Sequence, residues 1–563
     1  MNLKYQYRYI TSLLKRYGFR GLVFKTLERS RSPMLSYAKS YRRYLPAEEE
    51  LAQQRNTDFS YAPLISIVVP AYETPETYLR ELLDTVLGQS YQNLELCITD
   101  GSTTDRVERA AAEYGAKDSR IRYRRLTKNG GISENTNCGF AMAEGEYIVL
   151  MDHDDLLTKN ALYEMVSCLN SAYSEEERGM ALIYSDEDKI NRDGTVHSRP
   201  HFKPDYNREF LRRNNYFCHL LMVSASLLEK AGGLKKEYDG AQDYDFVLRC
   251  VDAGAIVRHI PKILYHWRIH EGSTAGNSEN KAYAFDNGCL AIEAHLKRNK
   301  EPGKAEVTEN LGVYHVVYEL KGAYELTVVA ENKEQLALIR NYYQKQKSKD
   351  KAYCLKIHYL FANAFHNGIE KECFGDYILY IREDVSVRPE NLIETFLGTC
   401  QHNSVGIVGA KLLTPKKRVS SCGIIYNEAG DLVFANEGIY REFKGYFLHA
   451  VIPQNVSAIP LGCVMLKRAA FVQAEGLEET MMGIFRDADF CFRLADLGYD
   501  TVVMPEITAI WHEKKTEKER TGLSWERQKK LFTNRWEKKL ALPDSCYNPN
   551  LSTKARHTYM MKK

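Results

Sequence analysis

Tyr147-Ile148-Val149-Leu150-Met151-Asp152-His153-Asp154-Asp155 is an apolar β-type run that breaks off into clustered carboxylates. Such a run sets acids at the carboxyl end of a buried strand, where open α/β sheets bind ligands. Two acids one residue apart suit a hard divalent cation such as Mg²⁺ or Mn²⁺, held by few protein ligands and shared with a phosphate group. Taken alone, the four polar residues read equally well as an acidic loop capping the next helix.

Upstream, the pattern repeats. Leu64-Ile65-Ser66-Ile67-Val68-Val69, closed by Pro70, is a continuous apolar run of the buried-strand kind. Thr77 to Gly88 has helical spacing. Leu94 to Thr99 is a second strand, ending at Asp100-Gly101-Ser102-Thr103, and Asp105 to Tyr114 is helical. Ile121 to Leu126 is a third strand, ending at Asn129-Gly130-Gly131. Ser133 reads as the cap of a helix over Glu134 to Ala143. This βαβαβαβ rhythm predicts a parallel sheet wound with helices, its loops lining one crevice.

A second stretch has the same order. Gly145 to Asp154 aligns with Gly375-Asp376-Tyr377-Ile378-Leu379-Tyr380-Ile381-Arg382-Glu383-Asp384. Asp243-Tyr244-Asp245-Phe246-Val247-Leu248-Arg249 aligns with Asp487-Ala488-Asp489-Phe490-Cys491-Phe492-Arg493. In both copies a glycine (Gly254, Gly498) and then a proline (Pro261, Pro505) follow, which points to a duplicated domain. The division expected is a basic helical segment over 1–60, a first domain over 61–305, a divergent second over 306–520, and a helical tail over 521–563. The boundary falls near Arg298 to Glu306, where charge, Pro302 and Gly303 interrupt the periodic pattern. The fold class predicted is α/β, two tandem doubly wound domains with helical extensions at both ends.

Composition narrows the class. No stretch approaches the roughly 18 apolar residues that a membrane-spanning helix needs. The first twenty residues are broken up by Lys4, Arg8, Lys15, Arg16 and Arg20, unlike a signal peptide. The 13 cysteines include no CxxC pair, so they read as reduced thiols of a cytoplasmic protein. From Met1 to Leu45, Glu28 is the only acid among eleven bases, with aromatic residues interleaved. That segment suits an anionic membrane surface or a packed, solvated helix; nucleic acid is not an expected partner.

The residues resemble a known family. Ile67-Val68-Val69-Pro70-Ala71-Tyr72, Asp100-Gly101-Ser102-Thr103, Asn129-Gly130-Gly131 with Asn137, Asp152-His153-Asp154-Asp155, Gly240-Ala241-Gln242-Asp243-Tyr244-Asp245 and Tyr265-His266-Trp267-Arg268 follow one another in order. Together they resemble family-2 glycosyltransferases with the A-type nucleotide-diphospho-sugar transferase fold. The second half looks like a rhamnosyltransferase-type copy. The ending Asp544-Ser545-Cys546-Tyr547-Asn548-Pro549-Asn550-Leu551-Ser552 looks like the tail of bacterial two-domain members.

The resemblance implies inverting transfer of a sugar from a nucleotide-diphospho-sugar to a hydroxyl of a growing cell-surface polysaccharide, an O-antigen or rhamnose-rich glycan, on a lipid carrier at the inner membrane face. Three needs follow: charge neutralisation at the diphosphate, a base for the acceptor hydroxyl, and one fixed nucleotide pose. By resemblance, Asp243 is the catalytic base. Pro70, Tyr72, Glu73, Asp100, Asn129, Gly131, Asn137 and Asp152 surround the nucleotide-sugar. Asp152, Asp154 and His266 face a divalent metal, Mn²⁺ or Mg²⁺. Many members carry Glu-Asp where this chain has Gln242-Asp243. His266 and His270 are four apart without other zinc-type ligands, which argues against a structural zinc. Asp100 and Asp243 also read as a turn former and a helix cap, His266 as a core histidine. Ser185-Asp186-Glu187-Asp188 reads either as a wall of the acceptor cleft or as a solvated loop.

In the second copy Arg382 replaces the first metal-site aspartate, leaving Glu383, Asp384, Asp487 and His512 as candidates, and no counterpart of Asp100-Gly101-Ser102 is found. That domain either uses a divergent donor site or has lost donor binding and serves acceptor recognition or packing. Two rival readings of the whole are a non-catalytic glycan-binding scaffold and a sugar-phosphate nucleotidyltransferase. The second needs a Gly-rich basic loop after the first strand, and Pro70-Ala71-Tyr72-Glu73 is not one. No G-x-G-x-x-G follows a strand, which excludes a dinucleotide oxidoreductase.

Overall fold

The computed structural model describes residues 34–270, 282–346, 353–512 and 523–562. The chain divides into two compact units. One comprises Ser36–Tyr206 and Leu211–Tyr318; the other is built from Glu319 onward together with Asn207–Phe210. Residues 1–33, which carry most of the basic N-terminal segment, lie outside the described residues. Two short helices, Met34–Ser40 and Glu48–Arg55, follow them.

The first unit is organised by a nine-stranded mixed sheet. Strand β1 (Ile65–Ala71) is buried along its whole length, as is β2 (Leu94–Asp100). Such runs read as apolar throughout because a parallel strand is covered on both faces. β3 (Ile121–Arg125) and β4 (Tyr147–Leu150) complete a parallel block in the order β3-β2-β1-β4. The crossovers are α1 (Glu76–Leu87), α2 (Arg106–Gly115) and α3 (Ile132–Phe140). Helix α3 starts two residues earlier than expected. Gly131, at φ +94°, stands at its N-terminus, while Ser133 sits inside the helix and donates to Asp239 Oδ1 at 2.5 Å. Gly139 lets α3 approach the sheet, since a Cβ there would meet Val68 Cγ1 at 2.4 Å.

Beyond β4 the sheet is mixed: every pair is antiparallel except β6 with β9, which is parallel. β5 (Leu156–Leu157), β6 (Ala181–Ile190), β7 (His197–His201), β8 (Leu221–Ser224) and β9 (Ile256–Arg268) extend it as β4-β8-β6-β9-β5, with β7 on β6. Helix α4 (Gln242–Asp252) precedes β9, and α5 (Ala282–Arg298) follows it. The charged stretch around Pro302 is a turn rather than a linker. It leads into an antiparallel hairpin, β10 (Gly303–Val307) with β11 (Tyr314–Tyr318). A bridge from Asn214 to Val313 ties the hairpin to the first unit, which therefore runs past the expected boundary to Tyr318.

The second unit carries β12 (Gly322–Ala330), β13 (Tyr353–Phe361), β14 (Tyr377–Ile381), β15 (Val385–Val387), β16 (Val405–Leu413), β17 (Cys463–Lys467) and β18 (Asp500–Trp511). Their order is β13-β12-β14-β17-β16-β18-β15. Strand for strand this is the first sheet without β3, with the same parallel and antiparallel pairings. Helix α6 (Gly483–Asp496) corresponds to α4, and α7 (Leu523–Leu540) buries Phe532, Trp536 and Leu540 in this unit's core.

Candidate active site

The carboxyl ends of β1 to β4 bring the expected nucleotide-binding residues to one edge. Register places Ala71 beside Asp100 and Val68 beside Leu150. Tyr72 leaves β1 48% exposed. Glu73, at φ 47°, accepts hydrogen bonds from the Thr103 N–H and hydroxyl, both at 2.7 Å, and from the Thr104 hydroxyl at 2.9 Å. These donors, Thr103 first, hold its carboxyl down at about 2. Asp100 is fully buried; it accepts from Ser102 N and from the Tyr123 hydroxyl, each at 2.8 Å. Asn129 Oδ1 accepts from Gly131 N at 3.0 Å and from Asn135 Nδ2 at 2.9 Å. Glu73 and Asn129 thus lock neighbouring loops together.

Two expected ligand contacts belong to the scaffold. Pro70 is buried within β1, opposite Thr99. Asn137 uses both ends of its amide on Leu234, donating to its carbonyl and accepting from its N–H, each at 2.8 Å. It fixes the segment leading to Asp243.

Past β4, Asp154 Oδ2 lies 2.6 Å from His270 Nε2. The histidine beside the acid pair is therefore His270. His266 lies elsewhere: its Nδ1 meets Asp188 Oδ1 at 2.6 Å. The bulged register of β6 on β9 sets His266 opposite Asp188. Asp188 also receives His197 Nδ1 at 2.7 Å and the Tyr37 hydroxyl at 2.6 Å. Asp188, His197 and His266 offer two imidazoles and a carboxylate. Separations of 2.6–2.7 Å are hydrogen-bond lengths. Donors around one cation at bonds of about 2 Å stand farther apart, roughly 3 Å. This cluster is a satisfied polar network.

Asp155 supports the acid pair from beneath. It is fully buried, accepts from the Tyr265 hydroxyl and from Arg268 N, and its carboxyl is pushed well up by burial and then by the Asp154 and Asp152 charges. Asp152 faces His219, with Nε2 3.6 Å from Oδ2. His219 stacks on Tyr265, ring centroids 4.5 Å apart. Burial brings the His219 imidazole down to about 4, so it is neutral at pH 7.

Asp243 lies in the first turn of α4 and accepts from Asn215 Nδ2 at 2.9 Å. Burial raises its carboxyl above the ordinary value; His219 and the Tyr244 N–H oppose the rise, and Asp152 adds to it. Two residues on, Asp245 pairs with Arg249 at 2.8 Å, and Arg249 donates to the carbonyls of Gly232 and Gly233.

Ser185-Asp186-Glu187-Asp188 is neither a solvated loop nor an open cleft wall. It is the buried middle of β6. Glu187 meets Lys203 Nζ at 3.1 Å. Lys203, wholly buried, also donates to the carbonyls of Ser185, Phe217 and His219 at 2.6–2.7 Å. Asn215, His219, Lys203 and His270 carry no local sequence signal. Antiparallel pairing of β8 brings the first two to the site across a long stretch of chain.

The second unit's counterpart is built differently. Arg382 donates from Nε to Asp384 Oδ1 at 2.6 Å and lies over the Trp511 ring at 4.9 Å. Trp511 Nε1 donates to Asp384 Oδ2 at 2.9 Å. Asp487 is buried, accepts from Leu461 N at 3.0 Å, and is pushed up by burial against the pull of Arg486 and Arg382. Glu383 is exposed, and His512 bonds Ser386 Oγ at 3.0 Å. Neither belongs to an acid cluster.

Residues 66–230 match the profile of Glycosyl transferase family 2. The chain is 32% identical over 536 residues to "Uncharacterized protein y4gI" of Sinorhizobium fredii, covering 87% of this chain and 58% of that one. It is 28% identical over 504 residues to "O-antigen biosynthesis protein RfbC" of Myxococcus xanthus, covering 83% of this chain and 39% of that one. A shorter match, 30% over 237 residues, covers 42% of this chain and 23% of the "Hyaluronan synthase" of Pasteurella multocida. The chain thus spans about half the length, or less, of these relatives. Among the described residues no helix is long and apolar enough to cross a membrane. With the matched segment running from β1 to helix Ala225–Ala231, the first unit carries a glycosyltransferase domain of family 2.

Proposed function

We propose that the protein is an inverting glycosyltransferase. It moves a sugar from a nucleotide-diphospho-sugar to a hydroxyl of a growing cell-surface polysaccharide, with Asp243 as base. The observation that carries this reading is a buried Asp243 near enough to His219 and Asp152 for the charge of each to act on it, at the sheet edge where ligands of α/β folds bind. Relatives named for O-antigen and hyaluronan synthesis support a polysaccharide acceptor.

The chemistry follows from the residues. The acceptor oxygen attacks the anomeric carbon as the bond from that carbon to the diphosphate oxygen breaks, and the nucleoside diphosphate leaves. The acceptor proton passes to the carboxylate of Asp243. Burial that raises this carboxyl makes it a stronger base. Asn215 holds one carboxylate oxygen and so fixes the direction of the other. Tyr72, exposed beside the Asp100 loop, offers a face to the nucleobase.

Asp152 and Asp154 offer carboxylate oxygens suited to a hard divalent cation, with His270 hydrogen-bonded to Asp154 beside them. Held there, Mn²⁺ or Mg²⁺ would neutralise charge on the departing diphosphate. The second unit takes no part in donor chemistry and serves acceptor recognition or packing. The acceptor is carried on a lipid at the inner face of the membrane.

The test is release of nucleoside diphosphate from UDP-, dTDP- and GDP-sugars with Mn²⁺. Release that vanishes in Asp243→Asn and persists in Asp384→Asn is expected. Loss only in Asp384→Asn moves the chemistry to the second unit, and no release from any donor overturns the reading.

A further inference from the structure

The segment 215–219 in the first unit presents two polar atoms that the scaffold does not use. Asn215 Oδ1 and His219 Nδ1 are buried without a hydrogen-bond partner among the described residues. Both belong to side chains whose other end faces a site acid. Asn215 Nδ2 donates to Asp243 at 2.9 Å, and His219 Nε2 lies 3.6 Å from Asp152.

Their chemistry is set by those neighbours. A carboxylate only accepts, so the Asn215 nitrogen must face Asp243, which leaves its oxygen as a free acceptor. His219 Nδ1 is the ring nitrogen turned away from Asp152, whose carboxylate stands 3.6 Å from Nε2, beyond hydrogen-bond reach. Two buried polar atoms with no partner are costly unless a ligand supplies one.

The segment is also rigid. From behind, Lys203 grips the carbonyls of Phe217 and His219, and Glu187 accepts from His219 N at 3.2 Å. The Cys218 thiol donates to the Asn215 carbonyl at 3.0 Å. Tyr265 stacks on the His219 ring, and Trp267 meets it edge-on at 5.3 Å. This framing keeps the two atoms from turning away to other partners.

We infer that Asn215 Oδ1 and His219 Nδ1 form a subsite for sugar hydroxyl groups beside the base. A hydroxyl satisfies both, donating to Asn215 Oδ1 and either donating to or accepting from His219 Nδ1. A carboxylate or phosphate group offers Asn215 Oδ1 only further acceptors, so the subsite discriminates in favour of a neutral, hydroxylated ring. The inference rests on the transferase reading above. The sugar is either that of the donor or that of the acceptor, and kinetics distinguish them.

The experiment uses the full chain with Mn²⁺, as wild type, Asn215→Ala and His219→Gln. Glutamine keeps a polar group near Asp152 and removes Nδ1. Calorimetry reads the affinity for UDP, dTDP and GDP alone, and initial rates read KM for the nucleotide-sugar and for the acceptor. A site built to bond a hydroxyl loses about tenfold or more when one contact is removed. The expected result is nucleoside diphosphate affinity within about twofold of wild type in both variants, with one KM raised about tenfold or more. A raised donor KM assigns the hydroxyls to the transferred sugar, and a raised acceptor KM to the glycan. Both KM values unchanged in active variants, or nucleotide affinity falling in parallel with them, overturns the subsite. A wild type inert with every donor overturns the transferase reading instead.

Discussion

Asp152 and Arg382 stand at the same station of two like sheets. Each lies five residues past the tyrosine that pairs with the strand beside it, Tyr147 with Ile65 and Tyr377 with Leu326. Around Asp152 the first unit gathers Asp154, Asp155 and His219, an acidic group beside a neutral imidazole. Around Arg382 the second unit gathers Asp384, Asp487 and Trp511, a group that carries its own cation. Register extends the contrast. Pairing sets Glu187 against Tyr265 and Asp188 against His266 in the first unit. The matching pairs in the second are Leu412 with Ala509 and Leu413 with Ile510. One backbone plan therefore supports a polar, ion-paired wall and an apolar one. What separates a site from a scaffold is a handful of side chains at strand ends.

The sharpest way to break the comparison is at the proposed base. Asp243 and Asp487 are equivalent by sequence, and both carboxyls are raised by burial. Losing a general base costs about 10²–10⁴-fold in rate. Asp243→Asn is expected to lower kcat by that factor while Asp487→Asn stays within about twofold. Equal losses, read from nucleoside diphosphate release, would make the second unit a partner in catalysis.

Two residues along the same helices the copies are alike. Asp245 with Arg249 and Asp489 with Arg493 are buried i,i+4 pairs at 2.8 and 2.9 Å. Asp489 also accepts from Trp536 Nε1 at 2.9 Å. Removing one partner of a buried pair costs about 3–5 kcal/mol. Asp245→Ala and Asp489→Ala should each destabilise by about that much in urea unfolding, with Asp489→Ala the costlier. If either is silent, the shared motif is not the structural clamp that its geometry describes.

Cation binding sharpens the electrostatic contrast. A ligand at 100 times its Kd stabilises the folded state by about 2.7 kcal/mol. Mn²⁺ at that excess should raise the Tm of the wild type and of Asp384→Asn. It should leave Asp154→Asn unchanged. A shift that follows Asp384 instead would place the cation beside Arg382.

How far the sequence reached depended on distance along the chain. The strand running into Asp152 and the repeat at Tyr377 are local patterns, so the sheets and their acids were legible. Misreadings came where pairing decides. Asp186, Glu187 and Asp188 look like a loop because three acids in a row break strand alternation; cationic and imidazole partners across the sheet make them a strand. Resemblance points to His266 rather than His270 at the acid pair; the bulge in the β6–β9 register sets His266 opposite Asp188 instead. Asn215 and His219 reach the site through β8, and no spacing in the sequence announces an antiparallel partner.

The buried acids predict one further, smaller difference. Burial alone would push the Glu187 carboxyl up; Lys203, then Lys189 and His201, outweigh it and hold the carboxyl well below its usual range. Asp188 is likewise lowered: burial opposes the shift, and His266 and His197 overcome it. A carboxyl lowered by folding stabilises the native state above its unfolded value, and that stability drains away as pH falls, because the unfolded chain binds the proton first. The loss begins near the ordinary carboxylate range of about 4 and runs to lower pH, at up to about 1.4 kcal/mol per pH unit for each group. Leu412 and Leu413 give the second unit no equivalent term. Urea unfolding followed from pH 6 to pH 3 should show a steeper acid loss in the first unit. Glu187→Gln should flatten that slope, since glutamine does not titrate, while lowering stability at pH 6 by leaving Lys203 without its carboxylate. An unchanged slope in Glu187→Gln would mean that the lysine cage does not hold the acid ionised.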